Sequence, residues 1–130
     1  GEAVYVDEFR VTFDEADPAG IAFFGKAYTY AHRAYEAYVR SLGFDDFFSA
    51  REFIVPFVHS ECTHTAPLRL GEELQTEVYL EKLGESSLTF RYVITDGTTP
   101  RATVKLVSVF VDAENFEKIP IPAAIRDALS

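Results

Sequence analysis

DEADPAGIAFFGKAYTYAHRAYEAYVRSLG, residues 14–43, is the stretch on which the architecture turns. Its first seven residues, Asp14 to Gly20, combine a proline, a glycine and three acids, and break any periodicity, so they form a loop. From Phe24 to Leu42 the period is that of a helix. Phe24, Ala27, Tyr28, Ala31, Tyr35, Tyr38, Val39 and Leu42 recur at spacings of three and four and make an apolar stripe. Lys26, Arg33, Glu36 and Arg40 lie mostly off it, and Gly43 follows as a helix stop. A helix of about five turns with one apolar side needs a large apolar surface to cover it.

The flanking sequence supplies that surface as strands. Upstream, Tyr5 to Phe13 alternates, with Phe9, Val11 and Phe13 on one face and Arg10 and Thr12 on the other. Downstream, Asp45 to Glu52 reads as a short helical or irregular link. Ile54 to Thr65 is strand-like, with Pro56 near its start and Pro67 beyond its end, where proline does least harm to a ladder. Leu74, Thr76, Val78 and Leu80 alternate against Gln75, Glu77, Tyr79 and Glu81, and Leu88, Phe90, Tyr92 and Ile94 against Thr89, Arg91 and Thr95. Ala102 to Val111 is the most apolar run and the best candidate for a central strand. Gly84-Glu85-Ser86 and Asp96-Gly97-Thr98 supply turn chemistry for antiparallel hairpins. The tail, Ile119 to Leu129, has two prolines and then a short amphipathic helix. Strand, loop, long helix and four strands predict one α+β domain over residues 1–130, with the sheet curled around the helix.

Composition narrows the function classes. A chain of 130 residues fits one core, and 48% apolar with 25% charged residues reads as globular. The net charge of −9 works against general nucleic-acid binding. A polyanionic small molecule stays compatible, because helix N-termini and local basic groups hold phosphates. No run approaches the roughly 20 apolar residues of a membrane helix, and the first ten residues carry no secretory signal. The lone Cys62 rules out an internal disulfide and a cysteine-cluster metal site. Together these predict a cytoplasmic protein with no membrane partner. The 12 Phe and 7 Tyr serve a bulky core and an aromatic ligand wall equally well. His-Glu-x-x-His, P-loop, Gly-x-Gly-x-x-Gly and Gly-x-Ser-x-Gly patterns are absent, which argues against the zinc-protease, nucleotide, dinucleotide and serine-hydrolase classes.

Chemistry concentrates before the helix. Asp17-Pro18-Ala19-Gly20 ends about one turn ahead of a helix start, where unpaired N–H groups and the positive dipole end gather. A carboxylate there, as base or nucleophile, beside donors for an oxygen gaining charge, is what thioester hydrolysis requires. The same residues also make an ordinary Asp-Pro turn and helix cap, so spacing alone leaves both readings open.

The run Asp14 to Phe24 followed by Tyr28 closely resembles the signature of 4-hydroxybenzoyl-CoA thioesterase-like enzymes. The helix stop at Gly43, the strand order and the ending Pro120-Ile121-Pro122 with Ile125-Arg126 and Ala128-Leu129 extend the likeness over nearly the whole chain. The resemblance implies a hotdog fold: a five-stranded antiparallel sheet wrapped around one long central helix, assembled as a homodimer or homotetramer. It implies an acyl-CoA thioesterase needing no metal and no organic cofactor. The family's aspartate falls on Asp17, either as nucleophile through a mixed anhydride or as general base on water. The oxyanion donor, a backbone N–H, falls on Phe24, with Gly25 beside it.

Gly25-Lys26 replaces the Pro-Asn or His frequent in the family, and Gly25 widens the pocket. Tyr28 and His32 are expected to contact substrate. His32 takes the place of an aspartate that meets the ring hydroxyl, which fits a polar or hydroxylated acyl group. His59 shares an alternating face with Phe57, Glu61 and Thr63 and is expected to line the pocket across the dimer interface. His64 has the opposite parity. Glu61 and Glu36 are candidate second carboxylates, and Lys82, Arg91, Arg101 and Lys105 are candidates for CoA phosphate contact. Three other readings stay open: a thioesterase acting on an acyl carrier protein or polyketide, a hotdog dehydratase or hydratase, and a non-catalytic acyl-thioester binding module.

Overall fold

The alternating segments form one antiparallel sheet with the long helix across it. The computed structural model describes residues 2–23, 25–44 and 52–130. The expected donor Phe24 and most of the 45–52 link lie outside those residues. In chain order the elements are β1 (Tyr5–Arg10), a 3₁₀ turn (Phe13–Glu15), α1 (Lys26–Ser41), β2 (Phe53–Ile54), β3 (Phe57–His64), β4 (Glu73–Leu83), β5 (Ser87–Thr95), β6 (Pro100–Val109), β7 (Val111–Asp112) and α2 (Ala123–Leu129). Five strands pair antiparallel in the order β1-β4-β5-β6-β3, and β2 with β7 make a separate ribbon. This is the expected hotdog arrangement. The apolar β6 is interior, flanked by β5 and β3, while β5 takes the middle place.

Helix α1 lies on the sheet through small and aromatic side chains. Ala27, Ala31 and Ala34 are fully buried, letting the helix backbone approach the strands closely. Aromatic rings fill the flanks. Tyr30 stacks on Phe9 of β1 at 4.1 Å between ring centroids, and Tyr38 meets Tyr5 at 5.8 Å. On the other side Tyr35 packs against Phe57 and Phe90. The aromatic richness is thus largely core. Among the described residues no helix is long and apolar enough to cross a membrane.

Two expectations need correction here. β1 stops at Arg10, and Phe13, expected on the buried face, is 86% exposed. The chain leaves the strand at Val11 and turns into the 3₁₀ segment, where the buried side chain is Glu15. The segment from Ile54 is also not one strand: it breaks at Val55-Pro56, and only β3 joins the main sheet.

Arg101, a candidate for phosphate contact, is committed to the fold. Its guanidinium makes two parallel bonds to Glu72 at 2.9 and 2.8 Å, a third to Asp96 at 3.1 Å and a fourth to the Pro67 carbonyl at 2.8 Å. This ties the β5–β6 turn to the segment entering β4. Arg101→Gln should lower unfolding stability by about 2–3 kcal/mol, because paired, partly buried carboxylates lose their donor. The same cluster gives an acid limb to stability. Backbone N–H groups of Thr99 and Thr98, then Arg101, hold Asp96 at about 2, below its ordinary 3.8. Arg101 holds Glu72 below its ordinary 4.5. Depressed carboxyls contribute stability above their unfolded values and lose it as pH falls through the folded ones. The melting temperature should therefore fall between about pH 4.5 and pH 2, and the fall should be shallower in Arg101→Gln.

Candidate active site

Asp17 stands at the tip of a small, fully bonded hairpin. Ala16 and Ala22 bridge; Asp17 N–H donates to the Ile21 carbonyl at 2.8 Å, and Gly20 N–H to the Asp17 carbonyl at 2.9 Å. Gly20 follows the turn with φ +77°, the left-handed residue that a three-residue hairpin connection requires. The hairpin is stitched to the segment before β4 by Ala22 N–H to Leu68 O and Leu70 N–H to Gly20 O, both 2.7 Å. A Cβ on Gly20 would meet nothing within 4 Å, so its need is backbone freedom rather than space. Gly20→Ala should therefore cost about 1–2 kcal/mol of stability, read from the urea midpoint, with no steric penalty added.

The turn fixes one carboxylate oxygen and leaves the other open. Asp17 Oδ1 accepts from the N–H groups of Ala19 at 2.9 Å and Ile21 at 3.2 Å. Oδ2 carries no hydrogen bond among the described residues. The half-buried side chain separates two clefts. One, of about 440 Å³, is lined by Phe13, Ala16, Pro18, Gly20 and Leu70; the other, of about 300 Å³, by Ile21, Ala22, His64, Ala66, Pro67 and Leu68. Both walls are predominantly apolar. The hairpin runs into α1, whose N-cap, Gly25, makes no side-chain cap bond, and whose first turn holds no acid. Among the described residues no carboxylate of the helix's own first turn occupies its positive end.

Two residues before Asp17, the Glu15 side chain is turned inward onto α1. The residue is 3% exposed, and its carboxylate accepts from Thr12 N–H at 3.2 Å, Tyr30 Oη–H at 3.0 Å and Arg33 Nη1 at 3.1 Å. Burial pushes its pKa up, but these bonds from Thr12, Tyr30 and Arg33 prevail and hold it below the usual carboxylate range. In the sequence Glu15 stands only as a member of the Asp14–Phe24 run, with no role of its own; the local signal for its burial is Thr12-x-x-Glu15, a capping-box spacing.

The other expected site residues divide by face. Tyr28 and His32 lie on α1, and the His32 ring sits 5.8 Å from Phe57 at the start of β3. His59 and Glu61 are paired with each other at 2.9 Å and exposed. Their register partners Val107 and Lys105 belong to the face of β6 turned away from α1. The expectation that Phe57 and His59 share a face is corrected: a bulge between them shifts the phase, so Phe57 faces the helix and His59 does not. The same shift brings His64 to the helix side, where it lines a cleft with Asp17 and its Nδ1 lies 3.6 Å from Cys62 Sγ. Glu36 pairs with Arg40 one turn along α1 at 3.4 Å. Of the remaining basic candidates, Arg91 covers the Tyr79 ring and pairs with Glu81, Lys105 also pairs with Glu81, and Lys82 is exposed.

A five-stranded antiparallel sheet packed on one long helix is the hotdog fold, and in it the Asp17 carboxylate stands between two mainly apolar clefts. The chain belongs to the thioesterase-like superfamily, which it matches over residues 11–129. It is 29% identical over 122 residues to a 1,4-dihydroxy-2-naphthoyl-CoA hydrolase of Synechococcus elongatus, covering 92% of this chain and 90% of that one. In structure it superposes on a 1,4-dihydroxy-2-naphthoyl-CoA thioesterase from Synechocystis with a TM-score of 0.88, at 22% identity over 96% and 94% of the two chains. A gentisyl-coenzyme A thioesterase gives a TM-score of 0.86, at 24% identity over 97% and 100%.

Proposed function

We propose that this protein is an acyl-CoA thioesterase acting on hydroxylated aromatic acyl groups, with Asp17 as its reacting carboxylate. The observation that carries the reading is the Asp17 carboxylate itself: one oxygen is locked by two backbone N–H groups, and the other is open between two apolar clefts. The thioester carbonyl oxygen is held at the start of α1, where the Phe24 and Gly25 backbone is the candidate donor. Asp17 Oδ2 then follows one of two routes. It attacks the carbonyl carbon, expelling the CoA thiolate and leaving a mixed anhydride that water opens. Alternatively it takes a proton from water, whose oxygen attacks the same carbon before the thiolate leaves. Either route yields the free acid and CoA. The named activities of the relatives, on dihydroxynaphthoyl-CoA and gentisyl-CoA, support an aromatic, hydroxylated acyl group. His32, beside Phe57 and Tyr35, offers such a hydroxyl a polar partner.

The working unit is a homodimer built along β3. β3 is an edge strand whose first residues are exposed, with Phe57 at 40% and Val58 at 60%. Its sequence, FVHSECTH, lacks the lysine or proline that blunts a free edge. The opposite edge, β1, is protected by Asp7, Glu8 and Arg10. Pairing at β3 brings the His32–Phe57 side of each helix against the partner. The test of function is thiol release from a panel of acyl-CoAs, with hydroxynaphthoyl and hydroxybenzoyl groups beside aliphatic chains. Hydroxylated aromatic thioesters should show kcat/KM at least about tenfold above aliphatic ones; release from none of the panel would reject the reading.

A further inference from the structure

We infer that Glu15 is a positioning residue for hydrolysis, acting as a buried anionic clamp that fixes the Asp17 hairpin against α1; the inference rests on Asp17 being the reacting carboxylate. The clamp has two grips. Through its side chain Glu15 is bound to Tyr30 and Arg33, one and two turns into α1, and to the Thr12 backbone. Through its carbonyl it accepts the N–H of Phe23 at 3.2 Å, closing the far arm of the hairpin. Between these grips lie only the Asp17 turn and the approach to the helix. The spacing between the Asp17 carboxylate and the start of α1 is therefore set from Glu15.

Packing alone does not explain a carboxylate in this place. A side chain 4% exposed would fill the space at lower desolvation cost as leucine or methionine. What the charge adds is direction. Three donors converge on two oxygens, and Tyr30 is held rigid by its stack on Phe9 and by full burial. Burial and then the Glu15 carboxylate also push the Tyr30 phenol far above its ordinary range, so it remains a donor across the working pH. A misplacement of about 1 Å between reacting groups costs on the order of a hundredfold in rate, so a clamp two residues from the reacting group acts on kcat.

Glu15→Gln, Tyr30→Phe and the double variant separate positioning from mere stability. Below the melting temperature, Glu15→Gln should lower kcat by about 10–100-fold with KM changed less than about threefold, since ground-state binding in the clefts is untouched. Tyr30→Phe should lower kcat by a smaller factor. The double variant should be no worse than Glu15→Gln, because groups acting as a unit are not additive. Ile125→Val in α2, far from the clefts, is the structural control: it should lower the melting temperature and leave kcat alone. A folded Glu15→Gln with wild-type kcat, or an Ile125→Val whose kcat falls with its melting temperature as that of Glu15→Gln does, overturns the inference. If Glu15→Gln does not fold, Tyr30→Phe carries the test, and wild-type kcat in that variant overturns it equally. Asp17→Asn run alongside keeps the two ideas apart. A dead Asp17→Asn with an unaffected Glu15→Gln removes only the clamp, whereas an active Asp17→Asn removes the reading beneath it.

Discussion

Asp17→Asn should lower kcat for thiol release by about a thousandfold or more while KM stays within a few-fold of wild type. The substitution is conservative where structure is concerned. An asparagine oxygen still accepts from Ala19 and Ile21 N–H, so the hairpin and its stitching to Leu68 and Leu70 persist. What disappears is the second oxygen, replaced by an NH₂ that neither attacks a carbonyl nor takes a proton from water. A thousandfold loss corresponds to about 4 kcal/mol of transition-state stabilisation, within the range for removing one reacting group while oxyanion donors and binding remain. Among the described residues, the other candidate carboxylates are engaged elsewhere. Glu61 is bonded to His59 on the outer face, Glu36 pairs with Arg40 on the exposed side of α1, and Glu15 is enclosed by its three donors. Turnover within about threefold of wild type would take Asp17 out of the chemistry.

What could be read from the sequence, and what could not, follows from the range of the forces involved. The long helix and the β4, β5 and β6 alternation are periodic signals carried by many residues, and they survive local irregularity. The edge is different. One extra residue at Val58 reverses the phase of β3, so alternation counted from Phe57 assigns His59 to the helix side when His64 belongs there. The ribbon of β2 and β7 is two residues long in each strand, too short for any period. Glu15 is harder still. An acid in a loop reads as solvated, and it is buried only because Tyr30 and Arg33, 15 and 18 residues on, reach it from a helix. The position of Asp17 was legible because it lies on a local motif; the residues that hold or surround it were not, because their partners are distant in the chain.

Placing lysines on the β3 edge should convert the proposed dimer to a monomer and remove most of its activity together. Val58 and Thr63 are both exposed, Val58 sits in the bulge and Thr63 is on the face turned away from α1, so Val58→Lys with Thr63→Lys adds two charges to the free edge without burying them in the core. Charged residues on an edge strand oppose pairing with a second strand. The expected mass by light scattering falls from twice 14.6 kDa to 14.6 kDa. Within each chain β3 keeps its seven register pairs with β6, so the fold and its circular dichroism should persist. Activity should drop by about a hundredfold, because the clefts beside Asp17 and the face carrying Tyr28, His32 and Phe57 both lie open in a single chain. An aromatic acyl group gripped from one side is neither oriented nor shielded from water. The two readouts answer different questions. A variant that stays dimeric and active places the subunit contact elsewhere. A monomer with full turnover shows that one chain completes the site, and that Tyr28 and His32 do their work without a partner.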